Sequence, residues 1–272
     1  MSKIKNPLEL YKHLDKSNCK RCMLPSCMAF AVAVIQGQKT LGDCPTIDID
    51  TIEKLSGSIV NRTSPEDEQG QALSQYRQEI SKLDLVAAAA RLHAPFKDGM
   101  IAINCLCKDF WINATGDMVS ECHKNPWVQI PVLNYILHSK SVQPKGNWVA
   151  FSGLKGAGEW NNFFQHRCEQ EMRRLADAHT DLFFDILHLF GAEKNQEVSS
   201  ADYSLIIHPL PKVPFLMNYW KPEESFEAKF NILFDRTAEE NIDMESLYLL
   251  GRGLVEMLRA LIMRHSKDGK LF

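Results

Sequence analysis

The sequence predicts an α+β protein: a small Cys-rich helical cluster-binding module followed by a mostly antiparallel sheet with packed helices. Three observations carry that prediction. Half of the eight cysteines fall within residues 19–44, around a short apolar segment bounded by helix signals. Three strand-like segments after residue 200 follow in meander order, with helical segments before and after them. Of the 272 residues, 45% are hydrophobic, which is ample for a real core and excludes wholesale disorder.

In chain order, Cys27–Gln36 reads as a short helix, with Ser26 as N-cap and Gly37 as its stop. Asp50–Val60 reads as a second one, capped by Asp50. Asn61–Gly70 is polar, acidic and contains Pro65, so it is the linker candidate. Residues 71–92 read as helical. These readings set the expected organisation: a cluster-binding module over 1–60, a helical linker over 61–84 and an α+β domain over 85–272. Met100–Ile112 then switches to strand character, and Asn113–Asp117 is a hairpin turn into Met118–Cys122. Asn125 before Pro126 starts a helix that runs to His138. Glu159–Ala178 carries Trp160, Phe164, Cys168, Met172 and Leu175 on one helical face, and Asp181–Phe190 is closed by Gly191. Strands follow at Tyr203–His208, Phe215–Trp220 and Ala228–Phe234, and a last helix spans Met244–His265. No internal repeat is evident.

Composition removes several function classes. The longest apolar run, Cys27–Ile35, has nine residues, too few for a helix spanning a bilayer, which needs about 20. Residues 1–10 hold no apolar signal core, so a cytoplasmic chain is expected. A net charge of −3 argues against a dedicated nucleic-acid binder. The charge is uneven, however: residues 1–47 carry seven bases and three acids, while the remainder is acidic. That basic segment is either an ordinary solvated surface or a face for an anionic group or an acidic protein partner.

The cysteines bear on that choice. Cys19, Cys22, Cys27 and Cys44 follow the spacing C-x2-C-x4-C-x16-C, with Pro45 after the last. Thiols clustered in a reduced compartment usually hold metal or do redox chemistry. Structural zinc modules normally present two close pairs, whereas here the second pair is split and no histidine lies between. Three ligands close together and a fourth before proline suit a 4Fe-4S cluster. Zinc, and thiols without a metal, remain the alternatives. Cys27 would sit in the first turn of its helix, where unpaired N–H groups and the positive dipole end favour an anionic cluster. Phe30, Val34 and Ile35 would exclude water from it, or simply pack as core.

Asn18–Gly37, closing at Asp43-Cys44-Pro45, resembles the short 4Fe-4S domain of several anaerobic proteins. These include the corrinoid iron–sulfur subunit of the acetyl-CoA decarbonylase/synthase complex and the B subunit of ion-translocating electron-transport complexes. The resemblance implies that Cys19, Cys22, Cys27 and Cys44 are the four iron ligands. It covers residues 6–46. The resembled domains have glycine after their second cysteine; this chain has Met23, expected to tighten the turn or to bury the sulfur further. From about residue 85, and most clearly at Leu210–Trp220 and Phe226–Asp235, the chain resembles an uncharacterised domain family that follows such a motif in anaerobe proteins. That resemblance implies a setting and no reaction.

The other constellations are less specific. Cys105 and Cys107 share a strand face if Met100–Ile112 is one strand, and Cys122 with His123 on the partner strand would then form a second metal or oxidant-sensing site; the alternative is small buried side chains. Gly153–Gly158 fits neither a P-loop nor a dinucleotide fingerprint and reads as a turn. Asp235 and Arg236 form an ion pair or cap, or touch a ligand. His208, Glu224 and Lys212 receive no role, and no catalytic residue is assigned. Three functions stay open: one-electron transfer with a protein redox partner, corrinoid-dependent or another anaerobic redox protein; a small-molecule redox enzyme with a partly apolar pocket after residue 85; and an interaction module folded by zinc or a structural cluster.

Overall fold

Two separate groups of buried apolar side chains organise the chain, which divides into compact units over residues 1–71 and 72–272. The computed structural model describes residues 4, 6–37, 39–56, 58–59, 65–197, 199–224 and 226–266. The expected helix end at Val60 and the linker stretch 61–64 lie outside the described residues.

The first unit is built from short helices. Asn6 accepts a hydrogen bond from Leu8 N (2.9 Å) and starts α1, Pro7–Tyr11, whose Leu10 is fully buried. Ser26 accepts from Ala29 N (3.1 Å) and starts α2, Cys27–Ile35, as the cap signal predicts. Gly37 takes φ +74° just beyond it, the left-handed conformation glycine allows at a helix end. α3, Ile49–Ser56, begins earlier than expected. Its first turn is capped by Asp48, which accepts from Thr51 N and Oγ1 (both 2.8 Å), and not by Asp50.

α4, Pro65–Ile80, runs across the boundary between the units, and α5, Leu85–Leu92, follows in the second. Pro65, read as a linker residue, instead opens a helix, where its missing N–H is harmless. β1 (Phe96–Lys97), β2 (Met100–Cys105), β3 (Lys108–Ile112) and β4 (Met118–Val119) form an antiparallel meander. Met100–Ile112 is therefore a hairpin and not one strand: Leu106 and Cys107 turn the chain with φ of +51° and +62°. α6 spans Pro126–His138. β5 (Trp148–Ala150) precedes a helical run of α7 (Asn161–Phe164), a π turn (Gln165–Glu169) and α8 (Gln170–Ala178), followed by α9 (Thr180–Leu189).

β6 (Glu193–Lys194), β7 (Tyr203–Leu210), β8 (Val213–Trp220) and β9 (Lys229–Asp235) join β5 in a five-stranded sheet of order β5-β9-β8-β7-β6. Its pairs are antiparallel, so the α+β reading holds. Val213–Tyr219 of β8 is buried throughout, the mark of a strand covered on both faces. The β7–β8 register slips between Ile207 and Leu210, where Pro209 and the nearby Pro214 lack ladder N–H groups. α10, Met244–His265, closes the unit and packs on α6. Its Gly253 permits that approach, since a Cβ there would meet Trp127 Cβ at 2.9 Å. Among the described residues no helix is long and apolar enough to cross a membrane.

Candidate metal centre

The centre is built on the loop that feeds α2. Lys16, Asn18, Lys20 and Met23 have φ of +61°, +50°, +61° and +64°, all left-handed and none of them glycine. Each such residue costs about 1–2 kcal/mol, asparagine least, so four in eight positions is strain that the surroundings must hold in place. Bends of this kind turn backbone N–H groups inward and make concavities that suit anions. One of those groups is identifiable: Asn18 N donates to Cys27 Sγ (3.3 Å). In return the Asn18 side-chain oxygen accepts from Cys27 N (2.8 Å), so this reciprocal pair locks the loop onto the first turn of α2.

Cys22, Cys27 and Cys44 lie in one apolar core, at 8%, 7% and 7% exposure, with Leu10, Leu14, Phe30, Val34 and Ile35. Cys19 is exposed on the loop. Cys44 is delivered by a 3-10 turn, Leu41–Asp43, which Asp43 secures by accepting from Thr40 N (2.7 Å) and Oγ1 (3.1 Å). Those two bonds hold the Asp43 carboxyl below the usual carboxylate range. Thr46 Oγ1 lies 3.2 Å from Cys44 Sγ and can donate to it. Asp15 Oδ1 accepts from Ser17 N (2.9 Å) and Oγ (2.8 Å), which lower its pKa, and lies 3.8 Å from Cys27 Sγ. Met23 does not bury the sulfur beside it: its side chain is 90% exposed, and only its backbone is unusual.

This donor set fits an iron–sulfur group. It is all sulfur, three thiols are withdrawn from water, and the dipole end of a nine-residue helix and a loop N–H point at one of them. Among the described residues no three His, Cys, Asp or Glu side chains converge on a single ion.

Asn18, Thr46 and Asp15 carry no role in the sequence reading. The signal for Asn18 was present: asparagine tolerates the left-handed region better than other side chains with a Cβ. Thr46 and Asp15 have no comparable local signature.

Of the other cysteines, Cys105 and Cys122 lie near one another beside one cavity, but Cys107 does not join them. Cys107 lies on the β2–β3 turn, exposed, donating to Phe190 O (3.4 Å), so it shares no strand face with Cys105. Cys105 is buried, and burial, helped by nearby Cys122, pushes its thiol up to about 12. Cys168 is core, and burial raises its pKa too. Gly153–Gly158 forms 3-10 turns, with Gly156 at φ +84°. Asp235 is the cap of the two readings and not an ion pair with Arg236: it accepts from Thr237 N (2.9 Å) at the start of the 3-10 turn Arg236–Glu240. Buried, it also anchors a loop by accepting from Lys145 N (2.8 Å), Gly146 N (2.6 Å) and Asn147 N (3.0 Å). Burial pushes its carboxyl up, but bonds from Thr237, Lys145 and Asn147 outweigh this and leave it below its usual value.

Known proteins resemble the two units separately. Residues 14–46 match the family model described as "Putative Fe-S cluster". The acetyl-CoA decarbonylase/synthase complex subunit gamma of Methanocaldococcus jannaschii is 38% identical over 65 residues, 24% of this chain and 13% of that protein. Subunit gamma 1 of Methanosarcina thermophila is 47% identical over 45 residues, 16% of this chain and 10% of that one. The corrinoid/iron-sulfur protein large subunit of Moorella thermoacetica is 39% identical over 51 residues, 19% and 11% of the two chains. The chain thus spans about a tenth of the length of these relatives. No solved structure matches it. Residues 84–257, more than half of the chain, match the model described as "Domain of unknown function (DUF3786)", and the chain belongs to that family.

Proposed function

We propose that the chain is a 4Fe-4S protein that passes single electrons to or from a protein partner, with Cys19, Cys22, Cys27 and Cys44 as the iron ligands. The observation that carries the reading is the gathering of Cys22, Cys27 and Cys44 in one apolar core, inside a segment that matches an iron–sulfur family. When bound, the cluster supplies one-electron redox chemistry, at a potential set by its hydrogen bonds and exposure. The chain's own residues do the rest. Phe30, Val34 and Ile35 keep water from three of the sulfurs. Asn18 N–H and the Thr46 hydroxyl stabilise negative charge on Cys27 and Cys44, as does the α2 N-terminus.

Exposed Cys19 marks the edge that a partner can approach, and exposed Lys12, Lys16, Lys20 and Arg21 surround it in sequence. An acidic partner surface complements them. The relatives are named as subunits of acetyl-CoA decarbonylase/synthase complexes and as a corrinoid/iron-sulfur protein, so the partner class proposed is a corrinoid-linked redox protein of anaerobes, in the cytoplasm.

The test is electron paramagnetic resonance on protein purified without oxygen and reduced with dithionite. The reading predicts a rhombic signal at about g = 2 from a one-electron-reduced cubane. Iron-containing protein that cannot be reduced would leave the cluster a structural role, and zinc in its place would make residues 1–60 a metal-folded interaction module.

A further inference from the structure

The second unit holds a cavity of about 460 Å³, within the range of about 300–1,000 Å³ typical of small-molecule sites. Its walls come from the β2–β3 turn region, residues 121–128 and one side of α10. The interior is apolar, with Phe110, Trp127, Phe190, Leu254, Met257 and Leu261. Cys105 lies in the wall and is held neutral by burial and by Cys122, so it adds no charge at neutral pH.

The charges around this interior are unequal. Glu256 already binds Arg252 (2.7 Å) and Arg259 (3.1 Å), so its charge is matched within α10. Lys108 and Arg264 also line the cavity, both exposed, and among the described residues their side chains form no ion pair and no hydrogen bond. Glu121 is likewise unpaired. Two uncommitted cations therefore stand against one uncommitted carboxylate beside a large apolar surface. A neutral apolar ligand would leave both cations idle, and a cationic one would be repelled.

We propose that this cavity binds a small amphipathic anion, with a carboxylate or phosphate head toward Lys108 and Arg264 and an apolar body against Trp127, Leu254 and Met257. The site uses no residue of the cysteine module and stands whether or not a cluster is present.

Isothermal titration calorimetry on the full chain, prepared without oxygen, tests it with decanoate, decyl phosphate, decanol and decyltrimethylammonium below their aggregation concentrations, and with acetate. Saturable one-to-one binding of decanoate or decyl phosphate is expected, and the tighter of the two identifies the head group. Decanol and decyltrimethylammonium should bind at least tenfold more weakly, and acetate not measurably. Ala260→Trp, at an exposed position on the cavity wall, should weaken binding at least tenfold. The double variant Lys108→Gln, Arg264→Gln should abolish the preference for anions over decanol while the circular dichroism of the folded chain persists, since both side chains are exposed. Decanol binding as tightly as both anions, anion binding unaffected by Ala260→Trp, or no saturable binding to any amphiphile would each overturn the proposal.

Discussion

Replacing Met23 by glycine should stabilise the cysteine module, against the usual expectation for a glycine substitution. The reasoning rests on two features: φ of +64° and a side chain that is 90% exposed. A residue with a Cβ in the left-handed region costs about 1–2 kcal/mol, which glycine avoids. Glycine returns part of that, about 0.4–1 kcal/mol, through the greater freedom of the unfolded chain. Because the methionine side chain packs on little, losing it adds almost nothing to the balance. The net gain is about 0.5–1 kcal/mol, or about two- to fivefold in the population of the open module. Loss of iron–sulfur colour to an iron chelator, measured without oxygen, reads that population when opening and closing are fast relative to capture. Met23→Gly should slow the loss about two- to fivefold, by the same conversion. Met23→Ala keeps the Cβ and should leave the rate unchanged. Equal slowing by both variants, or none by glycine, would show that backbone strain at this position is not the determinant.

Other outcomes follow from the same structure. Cys22→Ser should remove the visible chromophore or leave a three-iron form and loosen residues 1–71, while circular dichroism of the second unit persists, because the two apolar cores are separate. Asp235→Asn should destabilise the second unit by about 2–4 kcal/mol at neutral pH, since it deprives buried backbone N–H donors of a charged acceptor. The Asp235 pKa is lower folded than unfolded, so its contribution is present above the unfolded value of about 3.9 and is lost as pH falls through the folded one. The difference between wild type and Asp235→Asn in urea midpoint should therefore narrow below about pH 4. Gly251→Ala should lower the melting midpoint: its Cβ would meet Phe164 Cε2 at 2.8 Å and Cys168 Sγ at 3.1 Å. The overpacking cost of about 1–3 kcal/mol exceeds the gain of about 1 kcal/mol in helix propensity.

Much of this fold was legible because local chemistry and tertiary packing agree. Ser26 and Gly37 bound α2 as capping chemistry requires, and the last helix, expected over Met244–His265, is α10 with the same bounds. The missed features are those where one residue type serves two conformations. Leu106 and Cys107 turn a hairpin with positive φ but carry neither the asparagine nor the glycine that such turns usually show, so Met100–Ile112 read as one strand. Pro65 signals a linker and a helix start equally well, and here it is the start. The two-residue strands β1 and β6 are too short for alternation to register.

At the candidate centre, cysteine spacing alone marks the four thiols as candidate ligands, and three of them share one core. Spacing cannot reveal the bond from Asn18 N to Cys27 Sγ, because that depends on how the loop coils back over α2. The second unit's cavity was anticipated only as an unspecified pocket after residue 85. Its walls join residues from 105 to 264, a convergence no local pattern encodes.

Iron, zinc and acid-labile sulfide analysis of the full chain, isolated without oxygen, measures what the four thiols hold. About four irons and four sulfides per chain, with no zinc, is the composition a cubane requires. One zinc per chain without sulfide, or colourless protein free of both metals, would contradict the account at its base.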